Sequence, residues 1–244
     1  MTFNLFETIL FVASIIAAGV AALSGFGIGS ILTPLLAAKI DMGLSVAAVS
    51  IPHIVATSLR CFMLRHKINR EVLLSFGTLS ALGGLVGAFF LSQANNPTLT
   101  ILFALLLLYV GLSGITGFSG KLIIDKKWSI LAGLTSGLLG GLVGNQGGIR
   151  AAALSGMELT KEELVATATA IGVLVDLARM PVYIWSEGEA LVKFWLWIAL
   201  ATLGCVIGTF AGKALLSKLS ESVYRKILFL LIFILGIFMG SRVI

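Results

Sequence analysis

The stretch LLGGLVGNQGGIRAAAL, residues 138–154, interrupts a long apolar run with glycines, polar amides and a charge. Five glycines lie within its first eleven residues, Asn145 and Gln146 stand among them, and Arg150 follows. Glycine lets a chain turn sharply and approach a neighbour closely. What such a break does depends on whether the surrounding chain lies in lipid or in water.

The composition answers that question. The 244 residues are 58% hydrophobic and 11% charged, with a mean hydropathy of +1.08, whereas soluble domains carry about 25% charged residues. The sequence therefore predicts an all-α integral membrane protein, multi-pass in the cell (cytoplasmic) membrane and surrounded by the lipid bilayer. No basic residue precedes Lys39, so we expect the first apolar stretch to be retained rather than cleaved as a signal peptide.

Charge and cysteine content argue against other classes of protein. The net charge of +6 comes largely from basic residues in short loops, which predicts membrane orientation and no nucleic-acid partner. Cys61 and Cys205 lie in apolar runs and predict neither a disulfide framework nor a metal site. The sequence has no G-x-x-x-x-G-K-[ST] loop for nucleotide phosphates, and we expect no cofactor.

Polar loops divide the chain into about eight long apolar segments, each near the ~20 residues that span a bilayer, and two short ones. The predicted division is a first repeat at 1–118 (broken hairpin 4–38, spans 43–64, 72–92 and 98–117), a basic linker at 119–127, and a second repeat at 128–244 (broken hairpin 128–156, spans 163–185, 190–212 and 224–241).

The two halves resemble each other at fixed offsets. An offset of 119 residues relates Gly25 to Gly144, Gly29 to Gly148 and Arg60 to Arg179, and an offset of 121 aligns LGGLVGAF (82–89) with LGCVIGTF (203–210). Paired interrupted segments in two halves are a sequence pointer to the binding site of a transporter. The glycines of the second alignment are expected to pack helices together instead.

The basic residues predict how the halves are oriented. If each broken segment crosses the membrane once, the loop-facing basic residues divide eight to six. If each returns to the side that it entered, they divide eleven to three, which is a clear cytoplasmic bias. The eleven are Arg65, Lys67, Arg70, Lys121, Lys126, Lys127, Lys161, Lys213, Lys218, Arg225 and Lys226, and the three are Lys39, Lys193 and Arg242. The second arrangement predicts inverted repeats with both termini outside.

The two breaks predict a substrate site. Non-helical backbone at membrane depth is tolerated where it is buried in protein or lines a watery cavity, and the N–H groups of a helix that starts after a break favour anions. The candidate substrate-binding residues are Gly25, Gly27, Gly29 and Ser30 in the first break, Gly144, Asn145, Gln146, Gly147, Gly148 and Arg150 in the second, and Arg60 and Arg179 in the spans that follow.

Polar residues recur at helical spacing in the span after each break. They are Ser50, His53, Thr57 and Arg60 in the first half, and Thr169, Gly172, Asp176 and Arg179 in the second. Steps of three and four place residues on one helix face, and ionisable residues within a span usually mark a pathway. The arginines either line that path or extend to the membrane surface. His53 either carries a coupling proton or bonds backbone freed by Pro52, and Asp176 either serves a coupling proton or cation or pairs with Arg179.

A family resemblance follows from the two breaks. GFGIGSILTP (25–34) resembles the first signature of the sulfite exporter TauE/SafE family, roughly G-x-G-G-G with a proline five residues on, and GNQGGIRAAAL (144–154) resembles its second copy. Ile28 replaces a glycine of the first copy, and Gln146 and Ala153 replace a glycine and the proline of the second. The resemblance covers the whole chain and implies transport of sulfite, sulfonates or related small organic anions across the cytoplasmic membrane.

Three functions compete. The first is a secondary transporter of a small anion that works by alternating access around a midplane site. The second is an anion channel built on the same cavity. The third, a membrane-embedded enzyme, is disfavoured because His53 and Asp176 offer too few groups for a nucleophile–base or metal-ligand set.

Overall fold

A computed structural model describes residues 4–94, 96–117, 126–144, 147, 150, 153–154, 157–216 and 221–242, and these residues contain helices and no strand. The helices are α1 (Leu5–Ser24), α2 (Ile28–Ala37), α3 (Met42–Leu64), α4 (Arg70–Gln93), α5 (Asn96–Thr116), α6 (Lys126–Val143), α7 (Lys161–Lys193), α8 (Trp195–Leu216) and α9 (Glu221–Ser241). Between α6 and α7 lies the 147–154 segment, whose described residues, Gly147, Arg150, Ala153 and Leu154, are helical.

The described helices are those of a membrane protein. Five of them are long and apolar enough to cross a bilayer, where the sequence predicts about eight spans; the five are Leu5–Ser24, Met42–Lys67, Arg70–Gln93, Asn96–Thr116 and Lys161–Lys193. Four further stretches are apolar but shorter: Ile28–Ala37, Leu131–Val143, Trp195–Ala211 and Lys226–Ser241. Large apolar side chains such as Phe62, Leu74 and Phe89 face outward, as lipid contact requires.

Two helices end in the same way, and these ends are the breaks. The N–H of Gly25 bonds the carbonyl of Ala21 at 2.9 Å, and the N–H of Gly144 bonds the carbonyl of Gly140 at 3.0 Å. Both glycines are left-handed, with φ of 80° and 73°, a conformation that side chains disfavour. The first break is short, because α2 starts at Ile28 directly after Gly27.

Helices from the two halves pack in crossed pairs. α1 lies along α8, α4 lies along α6, α3 packs on α7, and α5 packs on α9. A Cβ atom on Gly87 of α4 would lie 2.1 Å from the carbonyl oxygen of Leu138, and one on Gly208 of α8 would lie 2.1 Å from that of Ile15. The expected packing role of these glycines is confirmed.

One end of the molecule, the Lys39 end, gathers several helix termini. The Lys39 ammonium lies 5.7 Å from the centroid of the Phe6 ring, and that ring lies 4.7 Å from the ring of Trp197. Arg242 donates a hydrogen bond to the carbonyl of Ala37. The starts of α1 and α8 and the ends of α2 and α9 therefore share this end.

The opposite end, the Lys67 end, gathers the starts of α4 and α7. Lys67 pairs with Glu162 at 2.9 Å, and the N–H of Asn69 bonds the hydroxyl of Thr167 at 2.9 Å. α6 runs parallel to α4, since Gly133, Gly137 and Gly141 in turn approach the carbonyls of Phe76, Ser80 and Gly84. The chain thus enters and leaves its first break from the Lys39 end, and its second from the Lys67 end.

α7 departs most from the predicted boundaries. It continues to Lys193, whereas the sequence predicts a span ending at residue 185 and a new one from 190. Residues 186–193 carry Glu, Ala, Leu and Lys, whose helix propensity outweighs the single Gly188. The next helix therefore starts only at Trp195.

Candidate functional site

The two breaks touch in the interior of the molecule. A Cβ atom on Gly29 would lie 2.3 Å from the carbonyl oxygen of Gly144, and one on Gly147 would lie 2.0 Å from the Cβ of Phe26. Such distances leave no room for any side chain. The glycines therefore bring the start of α2 against the end of α6.

A cavity of about 20 Å³ lies between the breaks and the facing sides of α3 and α7. A void needs roughly 10–15 Å³ to hold one water molecule, so the cavity has room for about one. Nine predicted residues line it: Gly25, Gly27, Gly29, Ser30, His53, Arg60, Gly144, Gly147 and Arg150. The structure adds Phe26, Thr57, Ala168, Thr169 and Gly172.

Four of the predicted substrate-binding residues remain. Asn145, Gln146 and Gly148 fall outside the described residues. Arg179 does not line the cavity, because its guanidinium donates to Asp176 and to the carbonyl of Gly140.

Arg60 and Arg150 bring positive charge to the cavity. Their exposed fractions are 4% and 3%. Arg60 donates to the hydroxyl of Thr57 at 3.2 Å, and Arg150 donates to the carbonyl of Ala168 at 2.8 Å. Within the described part of the chain neither guanidinium pairs with a carboxylate. Buried charges without a counterion are strongly unfavourable, so the electropositive lining makes this cavity a candidate anion site.

The free donor atoms of these arginines sharpen that inference. Arg60 leaves Nε and Nη1 without a partner, and Arg150 leaves Nε and Nη2. Nε and Nη2 form one edge of the guanidinium, which binds two oxygens of one oxyanion side by side. The hydroxyl of Ser30 is also buried and unpartnered. Several unpartnered donors therefore belong to residues that line the same cavity.

The N-terminal end of α2 adds to the positive charge at the cavity. Its N-cap is Gly27, and no side chain caps the helix there. The first N–H groups of a helix lack intrahelical partners, and they carry partial positive charge. The residues that follow the cap, Gly29 and Ser30, line the cavity, so the helix terminus favours an anion in the same place.

A second polar group lies against the cavity wall. Asp176 accepts hydrogen bonds on Oδ1 from Nε (3.0 Å) and Nη2 (2.7 Å) of Arg179, and its Oδ2 lies 2.6 Å from Nδ1 of His53. The alternative of arginines that extend to the membrane surface is wrong, because Arg60 and Arg179 are buried and bond inward. His53 contacts a carboxylate rather than backbone freed by Pro52.

A model of the sulfite exporter TauE/SafE family matches residues 10–239. The chain belongs to this family. No curated protein and no solved structure matches it. The family consists of membrane transporters, so membership implies transport of a sulfite-related anion rather than catalysis.

Two departures from the TauE/SafE signature fall on described residues. Ile28 is the first residue of α2 and is 1% exposed, and Ala153 is helical and fully buried. Neither residue is among those that line the cavity.

A wider cavity of about 640 Å³ opens at the Lys39 end of this TauE/SafE protein. Its lining includes Ala37, Ala38, Lys39 and Arg242. Arg242 already donates to the carbonyls of Ala37 and Ala38, so its guanidinium has hydrogen-bond partners within the protein. The unused donors lie instead at the other end of α2, and the small cavity is therefore the candidate anion site.

Some lining residues carried a signal in the sequence of this TauE/SafE member and others did not. Thr57, Thr169 and Gly172 fall on the polar helix faces, so they could have been added to the candidate site. Phe26 and Ala168 are apolar residues among many, and only the packing of the second break places them at the cavity.

Proposed function

We propose that the protein is a secondary transporter of a small anion, such as sulfite, an organosulfonate or a related organic anion, and that it works by alternating access around the small cavity. The observation that carries the proposal is the pair of buried guanidinium groups, Arg60 and Arg150, with unused donors and no carboxylate partner among the described residues. An oxyanion would supply both the charge and the acceptors that these groups lack.

The proposal includes two inverted repeats, residues 1–118 and 128–244, joined by the linker 119–127, in a multi-pass protein of the cell membrane. Three features support it. The two breaks are approached from opposite ends, α1 and α6 end in the same left-handed glycine turn, and α1 pairs with α8 as α6 pairs with α4. A two-fold axis in the membrane plane would exchange α1 with α6 and α8 with α4, and so one pair with the other.

Access to the site requires movement of α2. Its N-terminal end lines the small cavity and its C-terminal end lines the wide one, and its ten residues span roughly 15 Å. The wide cavity is therefore the proposed vestibule at the Lys39 end. Displacement of α2 would join the vestibule to the site, while the Lys67 end stays shut.

The alternative predicted from the sequence, an anion channel on the same cavity, stays a prediction. A channel needs a continuous watery path, whereas the cavity has room for about one water molecule. Saturable flux with counterflow in sealed proteoliposomes would support a transporter. Ohmic single-channel current would support the channel.

The proposed site is tested by Arg150→Ala. The variant should bind its anion more than tenfold more weakly, because it loses a bidentate, charge-assisted contact. Purified protein is screened with sulfite, sulfate, thiosulfate, sulfonates and small carboxylates, and the dissociation constant of each bound anion is measured. Arg65→Ala, which removes an exposed arginine, is the matched control. A folded Arg150→Ala protein with unchanged affinity would remove Arg150 from the site.

A further inference from the structure

We propose that His53 binds the coupling proton, so that one proton is carried together with each anion. The inference rests on the proposed anion site and adds the coupling ion to it. His53 is the described residue that both lines the cavity and contacts the buried carboxylate of Asp176. It stands at the middle of α3, and Asp176 stands near the middle of α7.

The hydrogen bonds of Asp176 fix which nitrogen of His53 receives the proton. Asp176 accepts two bonds from Arg179, as an ionised carboxylate does. The 2.6 Å contact then has Nδ1–H of His53 donating to Oδ2 of Asp176. In the neutral ring the second nitrogen, Nε2, keeps its lone pair, and it makes no hydrogen bond within the described part of the chain. The proton therefore adds to Nε2.

The charges around His53 link its protonation to the anion. α7 presents Asp176 and Arg179, which offset each other. α8 also packs on α3 and carries the buried Cys205, whose thiol donates to the carbonyl of Ser14. α3 itself presents Arg60, and the 147–154 segment presents Arg150. In the empty cavity the two arginines repel a third cation. A bound anion neutralises them, and its oxygens attract an imidazolium.

Each binding event therefore favours the other. Linkage between two ligands is reciprocal and typically changes affinity 5- to 150-fold. We expect a bound anion to strengthen proton binding at His53 about tenfold or more. Asp176 and Arg179 act as positioning residues, since they hold Nδ1 and leave Nε2 to the cavity. No covalent step occurs: the proton joins Nε2 on one side of the membrane and leaves it on the other.

The two histidines of the chain allow a direct test. In His66→Gln, which removes an exposed histidine, His53 is the sole imidazole. The full-length protein has an affinity tag that contains no histidine. Its one remaining histidine is labelled in the ring. At fixed pH, NMR should show a larger protonated fraction of His53 in the presence of sulfite than in its absence. An unchanged fraction with saturating sulfite would overturn the proposal.

A flux measurement tests the coupling. Proteoliposomes of wild type, His53→Gln and His66→Gln are loaded with a pH-sensitive dye, and sulfite flux and proton flux are recorded together. The ionisation of sulfite itself is the same in all three experiments. Differences in the ratio of proton flux to sulfite flux therefore report the protein's own proton coupling. His66→Gln should match wild type, and His53→Gln should carry one proton fewer per sulfite. Equal ratios in all three would overturn the proposal. If wild type moves none of the anions of the binding screen, the proposed function fails; if anions move and the proton-to-anion ratios are equal, the proton site alone fails.

Discussion

At the scale of single residues, one difference between the halves decides which arginine is free. The offset of 119 relates Thr57 to Asp176 and Arg60 to Arg179. Arg179 donates twice to its carboxylate, whereas Arg60 has only the Thr57 hydroxyl. A hydroxyl cannot neutralise a cation, so Arg60 keeps its charge for the cavity. The site is therefore asymmetric although the two spans are alike.

Thr57→Asp tests this reading. The new carboxylate would pair with Arg60 as Asp176 pairs with Arg179, and it would repel an anion. Affinity for the anion should fall more than tenfold, which corresponds to about 1.4 kcal/mol, as measured by titration of the purified protein. Thr57→Asn, of similar size and without the charge, should weaken binding less. Equal losses in both variants would contradict the electrostatic explanation.

At the scale of elements, the breaks depend on backbone contact that glycine alone permits. Gly29 makes such a contact between the two breaks, since its Cβ would lie 2.3 Å from the carbonyl oxygen of Gly144. Gly188 in α7 is a matched helical glycine, whose Cβ would meet only a side-chain atom of Ile184 at 4.0 Å. Alanine substitutions at the two positions therefore distinguish the effect of lost tertiary contact from the effect of helix propensity.

Gly29→Ala should separate the two breaks. It should lower the apparent melting temperature in detergent and reduce anion flux at least tenfold, because α2 cannot close on α6. Gly188→Ala should leave flux intact and raise stability slightly, by roughly 0.5–1 kcal/mol at most, through better helix propensity. Unimpaired flux in Gly29→Ala would show that the contact between the breaks is not needed for transport.

Sequence patterns predict much of the arrangement of breaks and helices, and they fail at identifiable residues. Glycine spacing indicated both breaks, and helical spacing brought His53 and Arg60 to one face. The role of Arg179 could not be fixed, because a carboxylate three residues away permits either a pair or a pathway. α7 is longer than the predicted span 163–185, because the residues around Gly188 favour helix enough to tolerate that glycine.

At the scale of the whole molecule, orientation is open to chemical labelling. In a background without Cys61 and Cys205, single cysteines replace the exposed residues Asp41, Arg70 and Glu158. The basic-residue bias and the shared Lys67 end predict cytoplasmic labelling at 70 and 158 and external labelling at 41. A membrane-impermeant thiol reagent distinguishes the sides. Labelling of 70 and 158 from opposite faces would rule out inverted repeats.

The crossed pairing of helices has a consequence for biogenesis. α1, α3, α4 and α5 of the first half each pack on a helix of the second half, respectively α8, α7, α6 and α9. The first half therefore leaves the ribosome with four packing faces uncovered, and these faces contact lipid until the second half is inserted beside them. We expect that neither half folds alone and that the assembly is complete only once α9 has been synthesised.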